Sequence, residues 1–179
     1  MQPTLLIASP QMKDPFFERS VVLLWHYDEE GAVGVVVNKT LDHVLPDVVS
    51  VGDGVDLSHY AGNTVGWGGP VESTSGTVVA RGMVHDHEGW PLDGGLAVTK
   101  SQDALVRLLE ERADILLVLG YAGWGPGQLD QEISRGGWLA TDIDPSLVFE
   151  TPIDERWEAA LGSLGLSPGT VWMLSLIHI

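Results

Sequence analysis

One stretch constrains this chain more than any other. Ile115-Leu116-Leu117-Val118-Leu119 runs without a polar residue straight into Gly120-Tyr121-Ala122-Gly123-Trp124-Gly125-Pro126-Gly127-Gln128-Leu129. It is the most continuous apolar run in the chain and predicts a strand. The glycines and proline after it predict a tight turn. A helix is then expected from about Gln128, burying Leu129 and Ile133 at i, i+4 until Gly136-Gly137 stops it.

Residues 5–8, 21–25 and 32–37 read as further strands, apolar and rich in β-branched side chains. The polar loop His26-Tyr27-Asp28-Glu29-Glu30-Gly31 predicts a hairpin, and the near-uniform apolarity of Val33-Gly34-Val35-Val36-Val37 places that strand centrally, with Asn38 ending it. Asp14-Pro15 marks a turn that an Asp14–Arg19 ion pair would fix, and Phe16 and Phe17 are expected in the core. Leu45, Val48 and Val49 fit one or two helical turns after Pro46. Residues 52–66 read as a loop, and 77–80 and 96–99 as short strands on either side of a polar loop, 83–95. Thr99 and Gln102 match a capping box ahead of an amphipathic helix that buries Ala104, Leu105, Leu108 and Leu109 and leaves Glu110, Glu111 and Arg112 solvated. Thr151-Pro152 starts a last helix, with Trp157, Ala160, Leu161 and Leu164 on one face and Gly165 closing it. No repeat, low-complexity tract or linker divides the chain, so a single α+β domain over residues 1–173 is expected. Leu174-Ser175-Leu176-Ile177-His178-Ile179 matches the translation of a transposase adapter used in preparing sequencing libraries, and residues 174–179 are read as a non-native tail.

Charge excludes some functions. Asp and Glu number 25 against 9 Lys and Arg, a net charge of −16, and no two basic residues are adjacent. Gripping phosphates by counterion release needs clustered Lys and Arg, so direct nucleic-acid binding is disfavoured. Anionic lipid would repel such a surface, and the apolar residues 5–8 are far shorter than a signal-peptide core or a membrane span. The expected compartment is therefore the cytoplasm, with no membrane partner. The absence of cysteine excludes disulfides, thiolate zinc sites and iron–sulfur clusters.

As an anion cradle, the segment after Leu119 fails: it lacks the Lys-Ser/Thr of a nucleotide loop and the dinucleotide spacing, and Asp130 and Glu132 put negative charge at the helix start. Two readings stay open, a close-packed turn with Tyr121 and Trp124 as packing residues, and a ligand or partner surface led by Trp124. Val65-Gly66-Trp67-Gly68-Gly69-Pro70-Val71 is a second Gly-aromatic turn, and turn formation suffices to explain it. His85-Asp86-His87-Glu88 puts two imidazoles on one side of an extended segment, but a third distant ligand is lacking, so the segment is read as a solvated loop and no metal or other cofactor is expected. There is no Gly-x-Ser-x-Gly elbow, and Ser9, Ser20 and Ser101 have no adjacent His motif, so no catalytic residue is assigned.

Taken in order, Leu5-Leu6-Ile7-Ala8-x-Pro10, Asp14-Pro15-x-Phe17-x-Arg19-Ser20-Val21, Gly31-Ala32-x-Gly34-x-Val36-x-Asn38-Lys39, Gly68-Gly69-Pro70-Val71, Ser101-x-Asp103 and above all residues 119–129 resemble the AlgH/YqgE family of small bacterial proteins. Trp138-Leu139, Phe149-Glu150-Thr151-Pro152 and Arg156-Trp157-x-x-Ala160-Leu161 continue the match, which runs from about residue 5 to residue 166. The resemblance implies an α+β fold with a mixed, partly barrel-like sheet surrounded by helices, a cytosolic location, no established enzyme activity and no agreed catalytic residues. Some members carry the label of transcriptional regulator. Members commonly end in a Gly-His-containing tail, which this chain lacks after Met173.

Two functions follow as expectations. The leading one is a non-catalytic regulatory or protein-interaction module, acting on gene expression through an unknown protein partner. The alternative is a small-molecule binding protein or an unrecognised hydrolase with a cleft near the Gly-rich segment. The candidate ligand or partner surface comprises Tyr121, Trp124, Gln128, Arg19, Asn38 and Trp67. A homo-oligomer built on the Trp-bearing loops is a third reading, since 7 Trp exceed what a core of this size needs.

Overall fold

Apolar segments that cannot satisfy their backbones alone pair into one extensively hydrogen-bonded sheet. A computed structural model describes residues 4–52, 54–167 and 169; the segment 174–179 read as a non-native tail lies outside them. The elements are β1 (Thr4–Ala8), β2 (Val21–Asp28), β3 (Gly31–Val36), β4 (Thr40–Val44), α1 (Leu45–Val48), β5 (Thr64–Trp67), β6 (Val71–Arg81), β7 (Gly89–Pro91), β8 (Leu96–Thr99), α2 (Gln102–Glu110), β9 (Asp114–Trp124), α3 (Gln128–Ser134), β10 (Trp138–Thr141), α4 (Pro145–Phe149) and α5 (Arg156–Ser163). The strand order is β10-β1-β2-β3-β9-β6-β8-β7, antiparallel throughout, and β5 pairs with β4 and runs parallel to β9.

Strand β9 is the spine. One edge pairs with β6 over most of its length, and the other takes β5 at Val118 and Leu119 and β3 at Ala122, Gly123 and Trp124. The sheet curls around it into a half-barrel. Leu5, Ile7, Leu23, Trp25, Val35, Val79, Val98, Leu116 and Val118 point inward, and Leu147 and Val148 of α4 and Trp157, Ala160 and Leu161 of α5 close the interior. Outside one half, Leu6, Val22, Leu24, Val36, Ala122 and Trp124 pack with Leu129 of α3 and Trp138 of β10. Outside the other half, Ile115 and Leu117 pack under Ala104, Leu105, Leu108 and Leu109 of α2. This is the mixed, partly barrel-like α+β domain expected, and the run 115–119 is covered on both faces.

The Gly-rich segment is where expectation and structure part. Residues 120–124 are a continuation of β9, and the chain turns only at Gly125-Pro126-Gly127. Gly120 adopts φ +82°, which inverts the alternation: Leu116 and Val118 face the interior before it, and Tyr121 faces the same side after it. Its backbone crosses that of Gly68-Gly69. A Cβ on Gly69 would lie 2.1 Å from the Tyr121 carbonyl, and one on Gly120 would lie 2.2 Å from the Gly69 carbonyl oxygen. The two Gly-aromatic segments are thus two sides of one backbone crossing that no side chain can enter.

Other boundaries move for local reasons. The hairpin is tighter than the sequence suggested, with β2 running on to Asp28 and Glu29-Glu30 forming the turn. Within 52–66, a 3-10 turn at Ser58–Tyr60 and the start of β5 replace part of the loop, and β7 interrupts the loop 83–95. Ser101, not Thr99, caps α2, its hydroxyl accepting from the Ala104 N–H, while Thr99 donates to the Glu88 carbonyl. A 3-10 turn at Ile153–Glu155 precedes α5, and Leu164 is exposed. Phe16 is 52% exposed instead of buried. The turn before it is held by Asp14 accepting from the Phe16 and Phe17 N–H groups, and no Asp14–Arg19 ion pair forms among the described residues.

Candidate functional site

Tyr121 leads to the concavity with the most suggestive lining. At one mouth of the half-barrel, Trp25, His26, Val33, Glu72, Trp90, Lys100 and Tyr121 line an open concavity of about 370 Å³. Irregular backbone aims several of these side chains. Trp25 sits where the β2–β3 register slips between Leu24 and His26, and Glu72 holds φ +47° where the β6–β9 register slips between Val71 and Gly76. A left-handed non-glycine residue is costly and is retained where the surroundings fix it. The Trp25 and Trp90 ring centroids are 5.5 Å apart, and the Lys100 ammonium stands 5.1 Å from the centre of the Tyr121 ring. Three aromatic faces with a cation and a carboxylate among the lining groups suit a flat molecule with one polar edge.

The six residues expected to share a surface do not meet in one. Tyr121 lines this cleft. Trp124 points to the opposite face of β9, is 6% exposed, and packs against Phe17 and Trp138 at ring separations of 6.2 and 5.9 Å. Its indole and that of Trp138 both donate to Glu132, at 3.4 and 3.1 Å, so it is a core residue. Gln128 is exposed and accepts from the Gly125 N–H, closing the turn before α3. Asn38 ties two segments together, accepting from the Val21 N–H and donating to the Arg19 carbonyl, each at 2.8 Å. The Arg19 guanidinium lies 5.1 Å from the Trp157 ring centre. Trp67 stacks on Phe16 at 6.1 Å, and Lys39, whose amine burial pulls below its usual range, donates to the Phe16 carbonyl beside it. Trp25, Glu72, Trp90 and Lys100 lie outside the surface expected from the sequence, and Trp90, an aromatic residue in the polar loop 83–95, is a local signal of the cleft.

The His85-Asp86-His87-Glu88 segment is a turn within the loop expected there. The two imidazoles stack at 5.6 Å. Both Glu88 oxygens accept from Arg107, at 2.9 and 2.8 Å, and this pairing, with the His85 N–H, holds the Glu88 carboxyl at about 2. No group of three or more His, Cys, Asp or Glu side chains is arranged to hold a metal among the described residues. Ser9, Ser20 and Ser101 each bond to nearby backbone. No helix among the described residues is long and apolar enough to cross a membrane.

A family model described as AlgH-like matches residues 5–169. The chain belongs to the AlgH-like family. A UPF0301 protein of Burkholderia vietnamiensis is 41% identical over 167 residues, which cover 90% of this chain and 87% of that one. A second, of Burkholderia multivorans, is 40% identical over 171 residues, 93% of this chain and 89% of the other. Among solved structures, the AlgH protein of Pseudomonas aeruginosa, at 33% identity, superposes with a TM-score of 0.75 over 98% of this chain and 92% of its own. A Corynebacterium diphtheriae protein at 24% identity shares the fold, with a TM-score of 0.72 over 90% of this chain and 86% of its own. The curled half-barrel sheet is thus the fold of the AlgH structure as well.

Proposed function

We propose that this AlgH-like chain is a non-catalytic, cytoplasmic ligand-binding protein whose occupancy is read by a protein partner. The observation that carries the reading is the convergence of Trp25, Trp90 and Tyr121 on one cleft with Lys100 and Glu72 in its lining. Influence on gene expression then passes through the partner, since a chain of net charge −16 is repelled by duplex DNA. A salt-sensitive, sequence-specific shift of duplex DNA by the purified protein would overturn that part.

Thermal unfolding against flavins, nucleobases, quinones and indoles tests the cleft. A ligand at 100 times its Kd adds about 2.7 kcal/mol, and at this size each kcal/mol moves Tm by roughly 2–4 °C. Trp90 is 40% exposed, so Trp90→Ala is expected to fold and to abolish the shift. A flat screen, or a shift retained in Trp90→Ala, overturns the reading. The stack of exposed Phe16 on half-buried Trp67 favours a second one, a docking face for a second copy of this chain. Sedimentation that slows on Phe16→Ala would support self-association there; an unchanged monomer would remove it.

A further inference from the structure

Away from the aromatic cleft, a concavity of about 290 Å³ opens among the 3-10 turn at Ser58–Tyr60, the starts of β5 and β9 and the junction of α4 with α5. Arg156, the first residue of α5, lines it. Its Nε donates to the Thr151 carbonyl at 2.9 Å and one Nη to the Val37 carbonyl at 2.6 Å. Those bonds fix the guanidinium but use only two of the five N–H donors such a group carries. Both acceptors are neutral, and no carboxylate lies within ion-pair distance of Arg156 among the described residues. Arg81 and Arg107, by contrast, each hold carboxylates. Burial alone pulls the Arg156 guanidinium down to about 10, so it stays charged at neutral pH. A desolvated cation with unused donors on the wall of an open cavity calls for an anion.

We propose that this concavity binds a small monocarboxylate carrying a hydroxyl or amino group. The planar fork of Arg156 matches a carboxylate in geometry and charge. Asn63 and Thr64 bring further polar groups to the wall, and Asp114 accepts from the hydroxyl or amine. Asp114 also sets the charge limit. Its Oδ2 also pairs with Arg81 at 3.4 Å, and its carboxylate still contributes to the lining, so a dianion such as phosphate meets a repulsion there that a monoanion with a donor does not.

The test is a nuclear magnetic resonance titration of the full chain with lactate, glycine and inorganic phosphate at constant ionic strength, following the Arg156 Nε–H and Asn63 side-chain signals. Lactate or glycine is expected to shift both saturably, with half-saturation below about 10 mM and binding at least about fivefold tighter than phosphate. Arg156→Lys keeps the charge but loses the fork and is expected to weaken binding about tenfold. Because Arg156 also anchors two carbonyls, Asp114→Asn supplies a second variant, which removes the carboxylate and releases Arg81 from it, and is expected to narrow the preference over phosphate to about twofold or less. No saturable shift, phosphate bound as well as the carboxylates, or a preference unchanged in Asp114→Asn would each overturn the proposal.

Discussion

A carboxylate that accepts two N–H bonds from one guanidinium resists protonation, and Glu88, whose side chain is 10% exposed, does so against Arg107. Its carboxyl is held at about 2 against an ordinary 4.5, so its contribution to stability is complete above about pH 4.5 and is lost as pH falls toward 2. Glu88→Gln is therefore expected to lower Tm most above pH 4.5, with the gap to the parent closing on acidification. A gap independent of pH in thermal melts would refute the pairing. Glycine positions separate by the same residue-level reasoning. Gly127 has φ +71° with open space around it, so Gly127→Ala costs only the left-handed penalty, about 1 kcal/mol. Gly69→Ala adds a collision with the Tyr121 backbone and is expected to cost on the order of 3 kcal/mol or more in urea unfolding. Equal losses in the two variants would contradict the crossing.

Helix α2 shows what an element owes to its sequence and what it owes to its neighbours. Ala104, Leu105, Leu108 and Leu109 were legible as its buried face because their spacing repeats that of a helix, and all four are buried. The cap was not legible to the residue, because Thr99 and Ser101 both have hydroxyls and only the path of β8 decides which one faces the Ala104 N–H. Ser101→Ala is expected to cost about 1 kcal/mol, with a local rise in amide exchange over the first turn of α2. An unaffected first turn would place the cap elsewhere. In β9 the glycines read as a turn for a sound local reason, since Gly and Pro usually punctuate strands. Pairing with β3 and β6 overrides that preference and keeps the chain extended to Trp124.

At the scale of the whole molecule, Trp124 changes meaning. In the sequence it stands in a Gly-rich segment as a candidate contact for a ligand or partner, whereas in the fold it is one member of an aromatic group with Phe17 and Trp138, closed by Glu132 and α3. Trp124→Ala is expected to destabilise by about 3–5 kcal/mol, as large-to-small changes in a core do. A folded Trp124→Ala variant of unchanged Tm would return the residue to the surface. Hydrophobic period and motif spacing are local properties of the chain, so the strands β1, β2, β3 and β8, the apolar strand at 115–119, the buried face of α2 and the family are legible in the order of the residues. That Tyr121 and Trp124 part to opposite faces, that the two glycine segments cross, and that Trp25, Trp90 and Lys100 meet comes from strand pairing in three dimensions. A left-handed Gly120, two register slips and the curl of the sheet set those relations, and each depends on strands far apart in sequence.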